Sequence, residues 1–452
     1  MHAGNAVFKN VNKTPRAPVL STKFIDSGRT RPLPCGPIML KLTSGLGLVA
    51  LLGIAWLMSE HKRLFPWRTV LWGLALQFII AIFVLHTRAG LAFFDACQHL
   101  VDRFIGFADE GNRLVFGPLA KPAVLAPAFG PDNTFFFAIT VTGTIILVSA
   151  ASTLLYHYGI LQVIVRGMAW VMRRIMGTSG SETLAAAANI FMGQTEAPLV
   201  IRPYLPHMTR SELNCLMIGG FANIAGGVLA VYSGMLKIPA GNLITQSVMS
   251  APAALLIAKV LLPETERSET AGGATAKIEK ETINGMDAVC VGASEGMKLA
   301  INVIAMLIAF TAIVAAANWL LGHLVGPFGW HTAKPLQEFF GYLNAPFAWL
   351  MGVPARDCLA IGQILGERIV LNEFFGYISL TAQRPSLDPR SYTLATYALC
   401  GFANFASVAI QIGGIGALVP NRRPDLVRLG LKAMVGGLIA CYMTACIVGM
   451  LF

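Results

Sequence analysis

Two glutamates stand inside apolar segments of this chain, and each is followed at nearly the same distance by the same short run. The first lies in Asn189-Ile-Phe-Met-Gly-Gln-Thr-Glu-Ala-Pro198; Gly219-Gly-Phe-Ala-Asn-Ile-Ala225 follows, with Asn223 about 27 residues after Glu196. The second lies in Leu371-Asn-Glu-Phe374; Cys400-Gly-Phe-Ala-Asn-Phe-Ala406 follows, with Asn404 about 31 residues after Glu373. A constellation repeated in this way constrains the fold, because it reads as two copies of one structural unit. Each carboxylate costs about 2.5–3.5 kcal/mol at the centre of a spanning helix, so a functional role is the default reading.

The neighbours of these glutamates break helices. Gly193 and Pro198 bracket Gln194, Thr195 and Glu196, Gly226 and Gly227 follow Asn223, and Gly413, Gly414 and Gly416 follow Ser407. Irregular backbone at membrane depth survives only against protein or a water-filled cavity. A broken helix exposes N–H groups at one half-helix end and carbonyls at the other. The first suit the polar atoms of a solute, the second a small cation.

Composition agrees. The 452 residues are 55% hydrophobic and 13% charged, with a mean hydropathy of +0.64, whereas soluble domains carry about 25% charged residues. The class is an all-α polytopic membrane protein seated in a lipid bilayer. The net charge of +11 does not indicate a nucleic-acid partner, since the basic residues fall in short clusters between apolar runs, as membrane topology requires. Eight cysteines, none in a CxxC pair, lie mostly in apolar segments and read as small buried residues, not as disulfides or metal ligands.

In chain order, residues 1–38 form a basic tail with no apolar signal core, read as a disordered extension or as residues ahead of a true start at Met39. Residues 39–130 hold two spans, 42–58 and 70–87, and an amphipathic stretch at 91–110 expected to lie in the interface. Residues 131–262 form the first repeat: a span at 134–160, the first acidic break, and spans at 213–235 and 243–262. A loop and interfacial helix occupy 263–298. The second repeat, 299–452, holds a span at 299–322, the second acidic break at 350–380, and spans at 392–418 and 429–451.

The positive-inside rule puts the loops at Lys62, Arg63, Arg166, Arg173, Arg174, Arg422 and Arg423 on one side only if both acidic breaks are re-entrant hairpins. The expected fold therefore has about eight transmembrane helices plus two re-entrant hairpins in an inverted repeat, as in secondary transporters. Plainer roles compete for single residues. Arg368, on the same segment as Glu373, is placed to neutralise it, Glu196 has the option of an arginine partner, and Asn223 and Asn404 suit interhelical hydrogen bonding. His157 reads as interfacial.

The runs Gly193-Gln-Thr-Glu-Ala-Pro198, Ile224-Ala-Gly-Gly-Val228, Ala300-Ile-Asn-Val-Ile-Ala-Met-Leu-Ile308, Asn372-Glu-Phe374, Gly401-Phe-Ala-Asn-Phe405 and Gln411-Ile-Gly-Gly-Ile-Gly416 resemble the concentrative nucleoside transporter family, in its bacterial eight-span branch. The resemblance covers nearly everything from Met39 onward. It implies an ion-coupled importer of nucleosides in the bacterial inner membrane, working by alternating access, and a homotrimer with a scaffold around the sixth span and a mobile part built from the hairpins. It further implies that Gln194, Thr195, Glu196 and Val228 line the nucleobase side, and that Glu373, Asn404 and Ser407 hold the ribose hydroxyls with Phe402 packing nearby. In sodium-coupled members the matching cation positions are Asn189, Met192, Asn223 and Ile224, mostly through backbone carbonyls.

This chain departs from the family at two positions. Asn223 stands where a small hydroxyl residue is usual, which leaves sodium and proton coupling both open, the proton then falling to Glu196 or Glu373. Arg368 stands where lysine is usual, retaining the charge. No cofactor beyond the coupling ion is expected. An intramembrane enzyme is disfavoured by the absence of HExxH, GxSxG or paired-aspartate signatures. A passive channel is disfavoured because the polar residues gather at two breaks and line no continuous path.

Overall fold

Helices account for every regular element among the described residues of the computed structural model, which are 36–130, 136–271, 282–325, 332 and 334–452. The chain opens with α1 (Pro37–Leu57), α2 (Trp67–His86), α3 (Arg88–Phe116) and α4 (Pro122–Phe129). Two runs of matching order follow. The first is α5 (Phe137–His157), α6 (Ile160–Met176), α7 (Gly180–Asn189), α8 (Ala197–Val200), α9 (Arg210–Ala222), α10 (Gly226–Leu236) and α11 (Ala240–Leu261). The second is α12 (Gly285–Val325), α13 (Pro335–Leu350), α14 (Cys358–Val370), α15 (Glu373–Gln383), α16 (Pro389–Leu399), α17 (Phe405–Leu418) and α18 (Arg423–Leu451).

In each run a long helix leads and a shorter helix follows. A helix–break–helix hairpin comes next, then a span cut in two, then a closing span. The packing repeats as well: α2 lies on α11, α1 lies on α18, α11 and α18 pack together, and α5 lies along α12.

Among the described residues, seven stretches are long and apolar enough to cross a membrane, the cut pair α9–α10 counting as one. The remaining predicted span, 392–418, is also cut: α16 ends at Leu399 and α17 begins at Phe405, so neither half has the length to qualify alone. The residues up to 35, 131–135 and 272–281 lie outside the described residues, so the basic tail expected over 1–38 and much of the polar loop after the fifth span are not tested. The seven described cysteines are all unpaired.

The boundaries differ from expectation in three places. The interfacial helix and sixth span expected on either side of residue 298 are one helix, α12, of 41 residues. Its length of about 60 Å is twice a hydrocarbon core. Gly292 and Gly296 do not interrupt it because they are where α5 approaches: a β-carbon at Gly292 would stand 2.7 Å from the Ala150 Cα. The amphipathic stretch extends to Arg88–Phe116, its start capped by Thr87, whose hydroxyl accepts from the Gly90 N–H at 2.9 Å. Helices α6 and α13 match no predicted element. The first buries Val165, Ala169 and Met172 on one face and carries Arg166, Arg173 and Arg174, so its average hydropathy conceals it.

The stem of the first hairpin is anchored by paired charges. Ser179 and Thr209 open α7 and α9 with capping boxes closed by Glu182 and Glu212. The buried Lys259 ammonium pairs with Glu182 and Glu264 and donates to the Ser211 hydroxyl at 2.9 Å. Removing one member would strand a buried charge, at a cost of about 3–5 kcal/mol.

Candidate functional site

Four helix ends converge where the two cut spans meet the two hairpins. Asn189 is the last residue of α7, and Asn223 follows the last residue of α9. These are C-terminal, carbonyl-bearing ends that favour a positive charge. Glu373 is the first residue of α15, and Asn404 directly precedes α17. These are N-terminal, N–H-bearing ends that favour negative charge and solute acceptors. The cut spans touch directly, the Phe402 N–H donating to the Asn223 carbonyl at 3.2 Å.

Around Glu373 the polar groups form a short chain. The carboxylate is 4% exposed. One oxygen accepts from the Tyr232 hydroxyl at 2.7 Å, and the other from the Asn404 amide at 3.3 Å. The Asn404 side-chain oxygen accepts from the Ser407 N–H at 2.8 Å, capping α17. Arg368 does not neutralise the carboxylate through an ion pair. Its guanidinium, fully buried on α14, donates to the Ala398 carbonyl and to Cys441 Sγ. The hairpin break turns the chain between the two residues, and Asn372, extended at φ −167° and ψ 176°, caps α15 in the turn.

A second chain runs through the first hairpin. The Gln194 amide donates to the Ser407 hydroxyl at 3.2 Å, and its oxygen accepts from the Gln411 amide at 3.1 Å. That amide also donates to the Met217 carbonyl at 3.2 Å. Gly220 is required here, because a β-carbon on it would stand 2.7 Å from Gln411 Nε2 and 3.0 Å from Gln194 Cβ. Thr195 and Glu196 are exposed at the hairpin tip. Thr195 lies against Gly414, and Glu196 accepts from the Gly193 N–H at 3.3 Å. Among the described residues Glu196 forms no ion pair, so the arginine partner considered for it is not there. Val228, half-buried, sits in the first turn of α10 without a polar contact.

The four positions considered for a cation gather where α7 and α9 end. The Gly226 N–H donates to the Phe191 carbonyl at 3.2 Å, and Asn189 lies against Gly219. Asn189 and Asn223 are 1% and 2% exposed, yet the nitrogen and oxygen of both side-chain amides lack a hydrogen-bond partner. Two such amides at the ends of the packed helices α7 and α9 call for a partner, since a buried unsatisfied polar group costs about 1–3 kcal/mol. Their oxygens, with the carbonyls of the helix ends, form a hard donor set of the kind a small cation takes. Ile224 is buried and Met192 half-buried beside them.

The geometry thus unites Gln194, Ser407, Asn404 and Glu373 in direct contact and sets Asn189 and Asn223 apart at the carbonyl ends. Tyr232 and Gln411 belong to the site but escaped the sequence reading. Each carries a clue, since a tyrosine hydroxyl or an amide deep in an apolar span needs a partner.

Comparisons with known proteins match three successive stretches of the chain. Residues 46–119 match the family described as Na+ dependent nucleoside transporter N-terminus, 138–239 the nucleoside recognition (Gate) family, and 242–449 the Na+ dependent nucleoside transporter C-terminus. A transporter of Haemophilus influenzae described as uncharacterized is 41% identical over 415 residues, covering 90% of this chain and 97% of its own. The sodium/nucleoside cotransporter 1 of Rattus norvegicus is 36% identical over 428 residues, covering 91% of this chain and 64% of its own. The structure of CNTnw in an inward-facing substrate-bound state superposes with a TM-score of 0.85 at 37% identity, over 91% of this chain and 98% of that one. An outward-facing variant of CNTnw gives 0.86 at 36% identity, over 92% and 99%.

Proposed function

The chain belongs to the concentrative nucleoside transporter family and is an ion-coupled nucleoside transporter working by alternating access; from that premise we propose that its coupling ion is sodium. It is a multi-pass bacterial membrane protein. The observation that carries the sodium reading is the pair of buried, unpartnered amides, Asn189 and Asn223, at two converging helix C-termini. The asparagine at 223 retains an oxygen ligand where the family usually has a hydroxyl. Met192 and Ile224 contribute through their backbone carbonyls.

In the same reading the nucleoside lies across the two hydrogen-bonded chains. Gln194, Thr195, Glu196 and Val228 face the nucleobase, whose mixed donors and acceptors suit amide and hydroxyl groups. Glu373, Asn404 and Ser407 hold the ribose, with Phe402 packing beside it. A carboxylate accepts two hydroxyl hydrogen bonds at once, and charge-assisted bonds are about twice as strong as neutral ones. The cation and the ribose are then held at opposite ends of touching half-helices, so that binding of one orders the frame used by the other. The working form is a homotrimer. Residues Ile301, Ile308 and Ile313 on α12 are exposed and apolar, a surface suited to other copies of the chain within the membrane.

Uridine uptake into proteoliposomes tests the coupling. An inward sodium gradient at equal pH is expected to drive accumulation, whereas an inward proton gradient without sodium is not. Accumulation driven by protons alone would refute the sodium reading and transfer the coupling to Glu196 or Glu373.

A further inference from the structure

We infer that Tyr232 is a positioning residue for nucleoside recognition: its phenol orients the Glu373 carboxylate so that both oxygens address the ribose hydroxyls. The inference rests on the reading of Glu373 as the ribose acceptor and extends it to a residue on the other repeat.

A carboxylate on an unrestrained side chain turns about its last bond, and a vicinal pair of hydroxyls engages both oxygens only at one setting. Here two donors from different elements define the setting. Tyr232, on α10, holds Oε1 at 2.7 Å, and Asn404, ahead of α17, holds Oε2 at 3.3 Å. Because a carboxylate has about four lone-pair sites, each oxygen keeps capacity for a ligand hydroxyl after its protein donor is counted. The phenol is itself held. Its ring is 2% exposed, stacks on Phe374 at 6.0 Å and 30°, and meets Tyr377 at 4.9 Å. The Tyr377 hydroxyl is in turn tied to the Thr396 carbonyl at 2.8 Å. Since Phe374 and Tyr377 ride on the helix that Glu373 begins, the donor and the carboxylate share one rigid frame. A preorganised acceptor leaves less rotational freedom to be lost on binding.

The competing account is that Tyr232 satisfies a buried hydroxyl and supports packing without regard to the ligand. The two accounts separate on the ligand's own hydroxyls. Affinities of the purified full-length protein in sodium are measured by calorimetry for uridine and, by displacement, for 2′,3′-dideoxyuridine. If Tyr232 orients the carboxylate, Tyr232→Phe weakens uridine about 5- to 10-fold, the range of one lost hydrogen bond. 2′,3′-Dideoxyuridine, which has no ribose hydroxyls at those carbons, then changes by less than about twofold. Equal losses for both nucleosides, or no loss for either, would overturn the inference.

Glu373→Gln serves as the control on the underlying reading. If it weakens both nucleosides alike, the ribose assignment of Glu373 fails. If it acts on uridine alone while Tyr232→Phe does not discriminate, only the role of Tyr232 fails. Should Tyr232→Phe not fold, Phe374→Leu loosens the ring stack while keeping both polar groups. The same preference for loss of uridine is expected at smaller size, and equal losses there would overturn the inference.

Discussion

The two Gly-Phe-Ala-Asn breaks carry the same four residues and do opposite things with their asparagines. Both asparagines are extended, at φ −121° and ψ 163° for Asn223 and φ −140° and ψ 166° for Asn404. After Asn404 the next helix begins at once, so its side chain caps α17 and its amide reaches Glu373. After Asn223 the next helix waits until Gly226, with Ala225 in the capping position. Asn223 therefore stands too early in the chain to cap α10, and its amide is left without a partner. A shift of two residues in where a half-helix restarts separates an asparagine that caps a helix from one whose amide is left over at a carbonyl end, where the proposed reading makes it a cation ligand. The residues after the motif differ in the same sense: Ile224 and Ala225 separate Asn223 from the Gly226-Gly227 start of α10, whereas Phe405 and Ala406 continue directly into helix.

That contrast is broken most severely at the carboxylate beside the second asparagine. Glu373→Gln removes the charged acceptor while keeping shape, and uptake is expected to fall roughly 100-fold at any sodium concentration. Near-normal uptake by correctly inserted protein would sink the ribose assignment. Asn404→Ala removes a helix cap and a carboxylate donor together, a loss of about 1–2 kcal/mol from the cap alone. Nucleoside affinity at saturating sodium should drop about tenfold, measured by equilibrium binding. The smallest effect on the nucleoside itself is expected from Asn223→Ala. It should raise the half-saturating sodium concentration about 10-fold or more, the low end of the loss seen when a supporting group of a cation site is removed, and leave nucleoside affinity at saturating sodium close to that of the unaltered protein. An unchanged sodium dependence would show that the two asparagines do not divide the labour as proposed.

Much of the fold was legible because its signals are local. Hydropathy marks most of the spans, Gly193 and Pro198 flank the break of the first hairpin, and Gly226 and Gly227 stand where a half-helix restarts. The repeated motif disclosed the duplication. The boundary expected at residue 298 is absent because α12 runs unbroken along α5, with Gly292 and Gly296 at the close approach. Helix α6 escapes hydropathy because its apolar face is averaged with its arginines, and α13 because its 16 residues fall short of a span. Within the candidate site, Gln194, Glu373, Asn404 and Ser407 were legible as polar groups in apolar surroundings, whereas Tyr232 and Gln411 were not singled out.

The sequence by itself determined that the chain crosses a membrane repeatedly, that its working unit occurs twice, and where each unit breaks. These follow from the transfer cost of polar groups and from the backbone habits of glycine and proline, which act over a few residues. Only the tertiary structure decided which broken ends meet. Tyr232 reaches Glu373 across 141 residues of chain, and Gln411 reaches Gln194 across 217. Arg368, five residues from Glu373 in sequence, spends its hydrogen bonds on Ala398 and Cys441. A buried polar group binds whatever donor or acceptor packing brings within reach, and proximity in the chain does not fix that neighbour once a helix break turns the backbone between them.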